Sequence, residues 1–394
     1  MEKNLKISDR VANSQESSTV GIADIAIRLR ESGETVYDFS AARAFEPTPA
    51  YLVDEAARAM KEGDTHQTMA RGTSRYRHAV AAKLKRENNI DADPEKEIIA
   101  TMGVKQGLTI TLLALINPGE EVIVEDPCFP SYKQLIGYMG GKPVPVPLRA
   151  ENRFRWDPAE LENNITSKTK AILLNSPQNP TGVVHTPEDL QAIASVALKH
   201  NLYVITDEVY ERLTWDKREH HNICNLGGMA PRTVTLTSLT KSFSMGGWRI
   251  GYIYASEKIV SSLYKLQQHL ITSCNSFVQS AAAKAFGEPP RDEVLEYWRE
   301  WEEKTKFVAK ELDSIPGINC PVPEGAFFVW ADINEADMPS KEFVEKLLKE
   351  EKVALVHGSS FGDNGEGYFR MTCSKTWEHN REGLKRIRKF MKNL

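Results

Sequence analysis

Short apolar segments alternate with amphipathic stretches through the middle of the chain, and this alternation restricts the fold more than any other feature. The apolar segments cover residues 97–102, 120–126, 170–176, 202–208 and 233–239, and the run 189–200 between two of them has helical spacing. Strands separated by helices need crossover connections, which are right-handed and give neighbouring strands the same direction. The pattern therefore predicts an α/β fold with a mostly parallel central sheet.

The hydrophobic pattern of the sequence changes near residue 292. A long amphipathic segment, 292–312, there precedes short predicted strands and a basic terminal helix. A chain of 394 residues is long enough for two domains that share a cleft. We expect an N-terminal arm over residues 1–45 that joins part of the small domain, a large ligand-binding domain over 46–290, and a small α+β domain over 291–394.

Composition argues against partners that are held by bulk charge. The 50 Lys and Arg residues nearly balance 54 Asp and Glu residues, for a net charge of −4, so we expect neither nucleic acid nor a membrane surface as a partner. The N-terminus lacks the apolar run of a signal peptide, and no stretch is apolar enough to span a bilayer. The five cysteines are scattered and form no C-x-x-C pair, which predicts a reduced, cytoplasmic protein without a metal site: Cys128, Cys224, Cys274, Cys320 and Cys373.

The segment 238–252, SLTKSFSMGGWRIGY, directly follows an apolar strand. Ligands of doubly wound sheets bind at the carboxyl ends of strands, and a desolvated Lys241 there could form a Schiff base, although most lysines are surface residues. Ser238, Thr240 and Arg249 supply hydroxyls and a bidentate cation that suit a phosphate. The alternative for Arg249 is a surface ion pair.

Two more strand ends carry polar groups. The backbone N–H groups of Gly103, Val104 and Lys105 would point at an anion from a helix N-terminus. Asp207 ends an apolar strand and Tyr210 follows three residues later, so both can face one cavity. A buried carboxylate needs a partner such as a protonated pyridine nitrogen, whereas the alternative is an N-cap aspartate beside a packed tyrosine.

Two further loops also follow strands. NSPQNPTG, at 175–182, is either a plain β-turn or a loop that places the amide of Asn179 beside a ligand hydroxyl. Phe129, in EDPCFPSY, is either a core residue or a ring that stacks on an aromatic ligand.

The order of these features resembles the fold-type I pyridoxal-phosphate enzymes, in the class I/II aminotransferase family. The resemblance extends from residues 36–40 to residues 367–374. It implies an aspartate aminotransferase-like fold, pyridoxal 5'-phosphate as cofactor, and a homodimer with its active site at the subunit interface. It also implies transfer of an amino group from an L-amino acid to a 2-oxo acid by a ping-pong route.

The resemblance also implies roles for the residues at the cofactor ring. Lys241 matches the lysine that links to the cofactor and later shuttles the α-proton of the substrate. Asp207 matches the aspartate that keeps the pyridine nitrogen protonated. Tyr210 and Asn179 match the groups that hydrogen-bond the 3-oxygen of the ring, and Phe129 matches the aromatic residue that stacks on its face.

The resemblance also implies which residues bind the phosphate of the cofactor and the α-carboxylate of the substrate. Ser238, Arg249 and the backbone of Gly103–Lys105 match the phosphate site. Arg370, in YFRMT, matches the arginine that forks onto the substrate α-carboxylate.

Four positions depart from the family pattern. Ala42 stands where a glycine is usual, with Arg43 beside it, in a loop that lies over the substrate; Arg43 either adds a positive charge for an acidic side chain or faces solvent. Gln67 replaces the tyrosine that reaches the phosphate of the neighbouring subunit, and His357 stands where a proline is common. We expect the N-terminal segment, including residues 17–19, to fold over the cleft.

Three alternative functions fit parts of the sequence. GSSFG, at 358–362, matches the nucleophile elbow of α/β-hydrolases with Ser360 as nucleophile, but that motif needs a helix after it. A regulator with an aminotransferase-like domain would need a DNA-binding module, for which we expect no room before residue 36. A lyase, cyclase or oxidase that uses pyridoxal phosphate could employ the same pocket for elimination or decarboxylation.

Overall fold

The computed structural model describes residues 6–12 and 18–394, so residue 17 of the expected N-terminal cover lies outside the described residues. In these ranges the helices are α1 (Asp9–Ala12), α2 (Ser18–Glu31), α3 (Ala50–Lys61), α4 (Ser74–Asn88), α5 (Val104–Leu115), α6 (Ser131–Tyr138), α7 (Pro158–Asn163), α8 (Pro187–Lys199), α9 (Glu257–Leu270), α10 (Ser276–Gly287), α11 (Asp292–Asp313), α12 (Ser340–Glu351) and α13 (Trp377–Asn393). The strands are β1 (Tyr37–Asp38), β2 (Ile98–Thr101), β3 (Glu121–Asp126), β4 (Lys142–Pro147), β5 (Thr169–Asn175), β6 (Tyr203–Asp207), β7 (Thr233–Ser238), β8 (Gly251–Ala255), β9 (Phe328–Asp332), β10 (Val353–Ala354), β11 (Val356–His357) and β12 (Tyr368–Thr372).

A seven-stranded sheet forms the centre of the molecule, in the order β2-β8-β7-β6-β5-β3-β4. β8 runs antiparallel to both of its neighbours, and the other paired strands are parallel. The predicted mostly parallel sheet is therefore confirmed, and β8 is the exception. Because the parallel strands share a direction, β2, β3, β5, β6 and β7 all end at the same edge.

Helices cover both faces of this sheet, which explains why its inner strands are almost continuously apolar. Alternate residues of β5 enter different clusters of buried side chains: Leu173 packs with the residues of α5 and α9, whereas Ile172 and Leu174 pack with those of α8. This two-residue period is the geometry of a strand. Burial on both faces fixes the sheet in position, and with it the loops at its carboxyl edge.

The C-terminal part of the chain forms a second, smaller sheet, β11-β12-β9, which is antiparallel. Buried residues of α11, α12 and α13 pack against it in one cluster with Phe39 from the N-terminal segment. β1 pairs with β10, Tyr37 opposite Val353, so this segment joins the C-terminal part. The domain limits 45/46 and 290/291 remain our proposal.

Candidate active site

A cavity of about 340 Å³ lies at the carboxyl edge of the central sheet, beneath the segment that follows β1. Most of the predicted site residues line it: Ala42, Val104, Lys105, Phe129, Asn179, Asp207, Tyr210, Ser238, Thr240, Lys241, Arg249 and Arg370. They come from strand ends far apart in sequence, and the parallel direction of the strands brings them together.

Lys241 follows β7 and projects its amine into the cavity. The amine donates a hydrogen bond to the carbonyl of Ala42 and lies 5.6 Å from the ring centroid of Tyr210. Burial lowers its pKa to about 8, and the positive charge of Arg370 acts in the same direction, while Asp207 opposes the shift. At pH 7 roughly one amine in ten is therefore neutral, and a nucleophilic lysine reacts in that form.

Asp207 ends β6 and is almost completely buried, with 5% of its surface exposed. Its Oδ2 accepts a hydrogen bond of 2.7 Å from the Tyr132 hydroxyl, and its Oδ1 accepts one of 3.1 Å from Val209 N. Burial raises the pKa of Asp207 to about 6, and these two hydrogen bonds limit the rise. A carboxylate in such a place calls for a cationic partner, and a protonated pyridine nitrogen meets that need.

Sequence reasoning missed Tyr132. It lines the cavity and lies on α6, three residues after Phe129, and the two rings meet edge to face with centroids 5.5 Å apart. Three-residue spacing puts two side chains on the same side of a helical turn, so this spacing was the available signal. Asn175 was missed as well: its Nδ2 donates to the Asp207 carbonyl at 2.8 Å, and its Oδ1 accepts from Asn179 N at 2.7 Å.

Arg370 comes from β12 and is buried between the two sheets, with 2% of its surface exposed. Its Nη1 donates to Asn179 Oδ1 at 2.9 Å and its Nη2 to the Ser40 carbonyl at 2.6 Å. Burial lowers its pKa to about 10. Among the described residues its Nε has no hydrogen-bond partner, so a donor remains in the cavity wall for a carboxylate.

The opposite end of the cavity suits a phosphate. Gly103 caps α5 with φ +79°, and a Cβ at this position would lie 2.7 Å from Arg249 Nη2, so only glycine allows the guanidinium to approach. Arg249 donates to the carbonyls of Met102 and Gly246 and makes no ion pair with any described residue. Thr240 N donates to Ser238 Oγ at 3.3 Å on the adjoining loop. A helix N-terminus beside an unpaired guanidinium binds anions.

Three predicted residues do not line the cavity: Gly103, which caps α5 beside Arg249, and Arg43 and Gln67. Arg43 is exposed, and in this loop it is the Ala42 carbonyl that reaches Lys241. Gln67 is exposed to solvent and is not part of the cavity wall. The contacts predicted for Arg43 with substrate and for Gln67 with a partner subunit remain predictions.

The hydrolase alternative requires a helix after Ser360, and the structure does not have one there. Gly358–Phe361 is a 3-10 turn, which is followed by another such turn and then by β12. Ser360 Oγ does lie 2.9 Å from His357 Nε2. Without the strand–turn–helix geometry, however, the segment is not a nucleophile elbow.

Comparison with known proteins identifies the family. The family model "Aminotransferase class I and II" matches residues 36–387. The chain is 38% identical to an aspartate aminotransferase of Pyrococcus abyssi over 98% of this chain and 99% of the relative. It is 39% identical to aromatic-amino-acid aminotransferase 2 of Thermococcus litoralis over 88% and 89%.

Solved structures agree with this result. Aspartate aminotransferase from Thermus thermophilus with maleate superposes with a TM-score of 0.92, at 31% identity over 98% of this chain and 99% of that one. Alanine aminotransferase from Pyrococcus furiosus gives 0.94, at 29% identity over 99% and 100%. The donors of Arg249 and Arg370 fit the phosphate and the carboxylate that such an enzyme binds, and the Asp207 carboxylate fits its protonated pyridine nitrogen. The chain belongs to the class I and II aminotransferases and is an aminotransferase that depends on pyridoxal phosphate.

Proposed function

We propose that this aminotransferase moves the amino group of an acidic L-amino acid to a 2-oxo acid, by a ping-pong route. The observation that carries the proposal is the charge of the cavity wall, which has four cationic side chains and, in Asp207, one carboxylate. Lys241 links to the cofactor, Arg249 serves the phosphate and Arg370 serves the substrate α-carboxylate. Lys105 is the remaining cation.

Lys105 is placed to receive a second carboxylate. Its amine lies 5.2 Å from the ring centroid of Phe129, the residue whose ring would stack on the cofactor. Partial burial lowers its pKa, and the charge of Arg249 lowers it further, so an added anion would relieve both effects. Among the described residues Lys105 has no ion-pair partner. Several relatives are named aspartate aminotransferase, which supports the same substrate class.

The other cavity residues have roles that follow from their positions. Pyridoxal phosphate, when bound, supplies the electron-withdrawing ring that makes the substrate α-proton acidic. With the cofactor bound, Asp207 would hold the proton of the pyridine nitrogen, and Tyr210 and Asn179 would donate hydrogen bonds to the 3-oxygen of the ring. The Lys241 amine, lying beside the Tyr210 ring, takes and returns the proton at the substrate α-carbon.

The proposal includes a homodimer in which Gln67 lies near the active site of the partner subunit. Thr68 N donates to Ser273 Oγ at 3.4 Å, which brings two surface segments together. These segments carry Met69 and Leu270, whose side chains are 58% and 52% exposed. Large exposed apolar side chains are characteristic of subunit interfaces. Size-exclusion chromatography with light scattering should give twice the chain mass of 44.3 kDa.

A cytoplasmic location is also part of the proposal. All five cysteines are buried and none is in a disulfide, as expected in a reducing compartment. No described helix is both long and apolar enough to cross a bilayer.

The test is a spectral titration of the purified holoenzyme with single amino acids, without any oxo acid. Aspartate and glutamate should convert the yellow cofactor band to a near-ultraviolet one with stoichiometric oxo acid. In Lys105→Gln, kcat/KM for aspartate should fall by about 10- to 100-fold, as for a lost charged hydrogen bond, while that for alanine stays unchanged. Lys258→Gln, an exposed lysine of α9, is the matched control. An unchanged ratio of aspartate to alanine in Lys105→Gln would contradict the acidic substrate, and ammonia release without oxo-acid stoichiometry would contradict amino transfer.

A further inference from the structure

A second cavity, of about 500 Å³, lies on the other side of the Asn-Pro-Thr-Gly loop from the active site. It is lined by residues from the segments 150–154, 181–183 and 319–324, by Arg218, and by residues of strands β9 and β12 of the small sheet. It shares no lining residue with the active-site cavity. The reaction described above makes no use of it.

One wall of this cavity is a platform of aromatic rings. Trp330 and Tyr368 stack with their planes 2° apart and their centroids separated by 5.1 Å. The ring of Phe154 meets Tyr368 edge to face at 5.6 Å. Trp330 and Tyr368 are diagonal neighbours on adjacent antiparallel strands, because Trp330 is directly opposite Arg370. Trp330 is 3% exposed and packs behind Tyr368, so the platform is held by the sheet and offers mainly the Tyr368 ring to a flat ligand ring.

The rim of the cavity carries positive charge that the described residues do not neutralise. Arg153 and Arg218 line the cavity and are exposed, and neither makes an ion pair with any described residue. A guanidinium binds a carboxylate through two hydrogen bonds, and it also stacks on aromatic rings. Arginines beside an aromatic wall therefore suit a planar anion. Arg153 and Phe154, on this rim, both have positive φ angles, of 52° and 55°. Such a backbone conformation is uncommon in residues other than glycine.

The two carboxylates of the cavity wall already have partners. Both oxygens of Glu324 accept from Arg155 Nη2 at 2.7 Å, and one also accepts from Val184 N. Asp332 Oδ1 accepts two hydrogen bonds of 2.8 Å from Asn334. Asn334 is neutral and Asp332 has no ion-pair partner among the described residues, so the wall carries two unpaired guanidiniums and one unpaired carboxylate, with a net positive charge.

We propose that this cavity binds an aromatic carboxylic acid, with its ring on the Trp330–Tyr368 platform and its carboxylate between Arg153 and Arg218. The site adjoins the catalytic cavity. Trp330 contacts Phe361, with centroids 5.5 Å apart, and Phe361 lies 5.0 Å from the guanidinium carbon of Arg370.

Binding can be measured without turnover, by isothermal calorimetry of the holoenzyme with indole-3-acetate as the probe. This acid has no amino or oxo group, so it is not a substrate for amino transfer. The double variant Arg153→Gln/Arg218→Gln should bind it at least about tenfold more weakly, because charge-assisted hydrogen bonds are lost. Arg149→Gln, whose arginine is paired with Glu160 and does not line the cavity, is the matched control and should bind normally.

Two further measurements separate this site from the active site. Indole-3-acetamide, which keeps the ring but lacks the charge, should bind more weakly than the acid. Arg370→Lys should retain binding of the acid. Loss of binding in Arg370→Lys alone would place the probe in the active site and overturn the proposal. So would equal affinity for wild type and the double variant, or absence of heat at concentrations of about 5 mM. Since no step requires amino transfer, failure here leaves the proposed reaction untouched.

Discussion

Replacing Tyr132 with phenylalanine isolates one hydrogen bond of the cofactor site. The hydroxyl donates to Asp207 Oδ2 at 2.7 Å, inside a region that is almost inaccessible to solvent. A hydrogen bond to a charged group contributes about 1.5 to 3 kcal/mol, and 1.36 kcal/mol corresponds to one pH unit of a titration. Because this bond stabilises the ionised carboxylate, its loss raises the pKa of Asp207 by about one to two pH units.

The pKa of Asp207 in wild type is about 6, so the ionised form that pairs with a protonated pyridine nitrogen dominates at neutral pH. The affinity of the apoprotein for pyridoxal phosphate should therefore fall as the pH drops through about 6 in wild type. In Tyr132→Phe the same fall should occur at about pH 7 to 8. At pH 7 the variant should bind the cofactor up to about tenfold more weakly, and above pH 8.5 the two proteins should converge.

The assay is equilibrium binding of the cofactor to apoprotein, followed by quenching of protein fluorescence across the pH range. Titration of the cofactor itself affects both proteins equally and cancels in the comparison. Tyr138→Phe changes the other tyrosine of α6, whose hydroxyl has no hydrogen bond to a described residue, and should match wild type. Coincident pH profiles for Tyr132→Phe and wild type would refute the assignment of Tyr132 as the group that keeps Asp207 ionised.

Three more variants test the site. In Asp207→Asn the unfolding free energy of the apoprotein should rise by up to about 3 kcal/mol at pH 8. The reason is that folding raises the pKa of Asp207 from 3.8 to about 6, so that keeping its carboxylate ionised above pH 6 costs stability. The gain should be smaller at pH 5, and urea denaturation at the two pH values measures it. Lys241→Ala should bind the cofactor without the yellow band of the lysine-linked form, and full activity in this variant would disprove the central role of Lys241. Gly103→Ala places a Cβ 2.7 Å from Arg249 and should weaken pyridoxal phosphate binding by about tenfold, as measured by dialysis, with little effect on phosphate-free pyridoxal.

The residues at strand ends were predictable because parallel strands must end at one edge of their sheet. Lys241, Asp207 and Asn179 each follow an apolar run, and the sheet order brings all of them to one cavity. The hydrogen bond between Tyr132 and Asp207 was not predictable in the same way, since it joins a helix to a strand 75 positions away. Local periodicity indicates the face on which a side chain lies but not its partner.

Loops were the least predictable part of the site. Nothing in the stretch AARAFEPTP indicates that the carbonyl of Ala42 turns toward Lys241 while the side chain of Arg43 is exposed. The second cavity was equally hidden, because residues that line it, such as Phe154 and Trp330, come from segments that are far apart in the sequence. Each strand was apparent from its own apolar run, whereas a cavity between distant segments depends on how those segments pack together.

The hydrogen bond from Arg370 to the Ser40 carbonyl joins residues that are 330 positions apart. β1 and β10 pair nearby, so segments close to the two ends of the polypeptide lie side by side at the active-site cavity. Contacts between such distant positions form late in folding, because a long loop must close before they stabilise anything. During translation the lysine side of the pocket therefore emerges before the arginine side, and binding of substrate through Arg370 should follow release from the ribosome. A nonsense mutation shortly before Arg370 would leave a chain that contains Lys241 but lacks the guanidinium that we propose binds the substrate carboxylate.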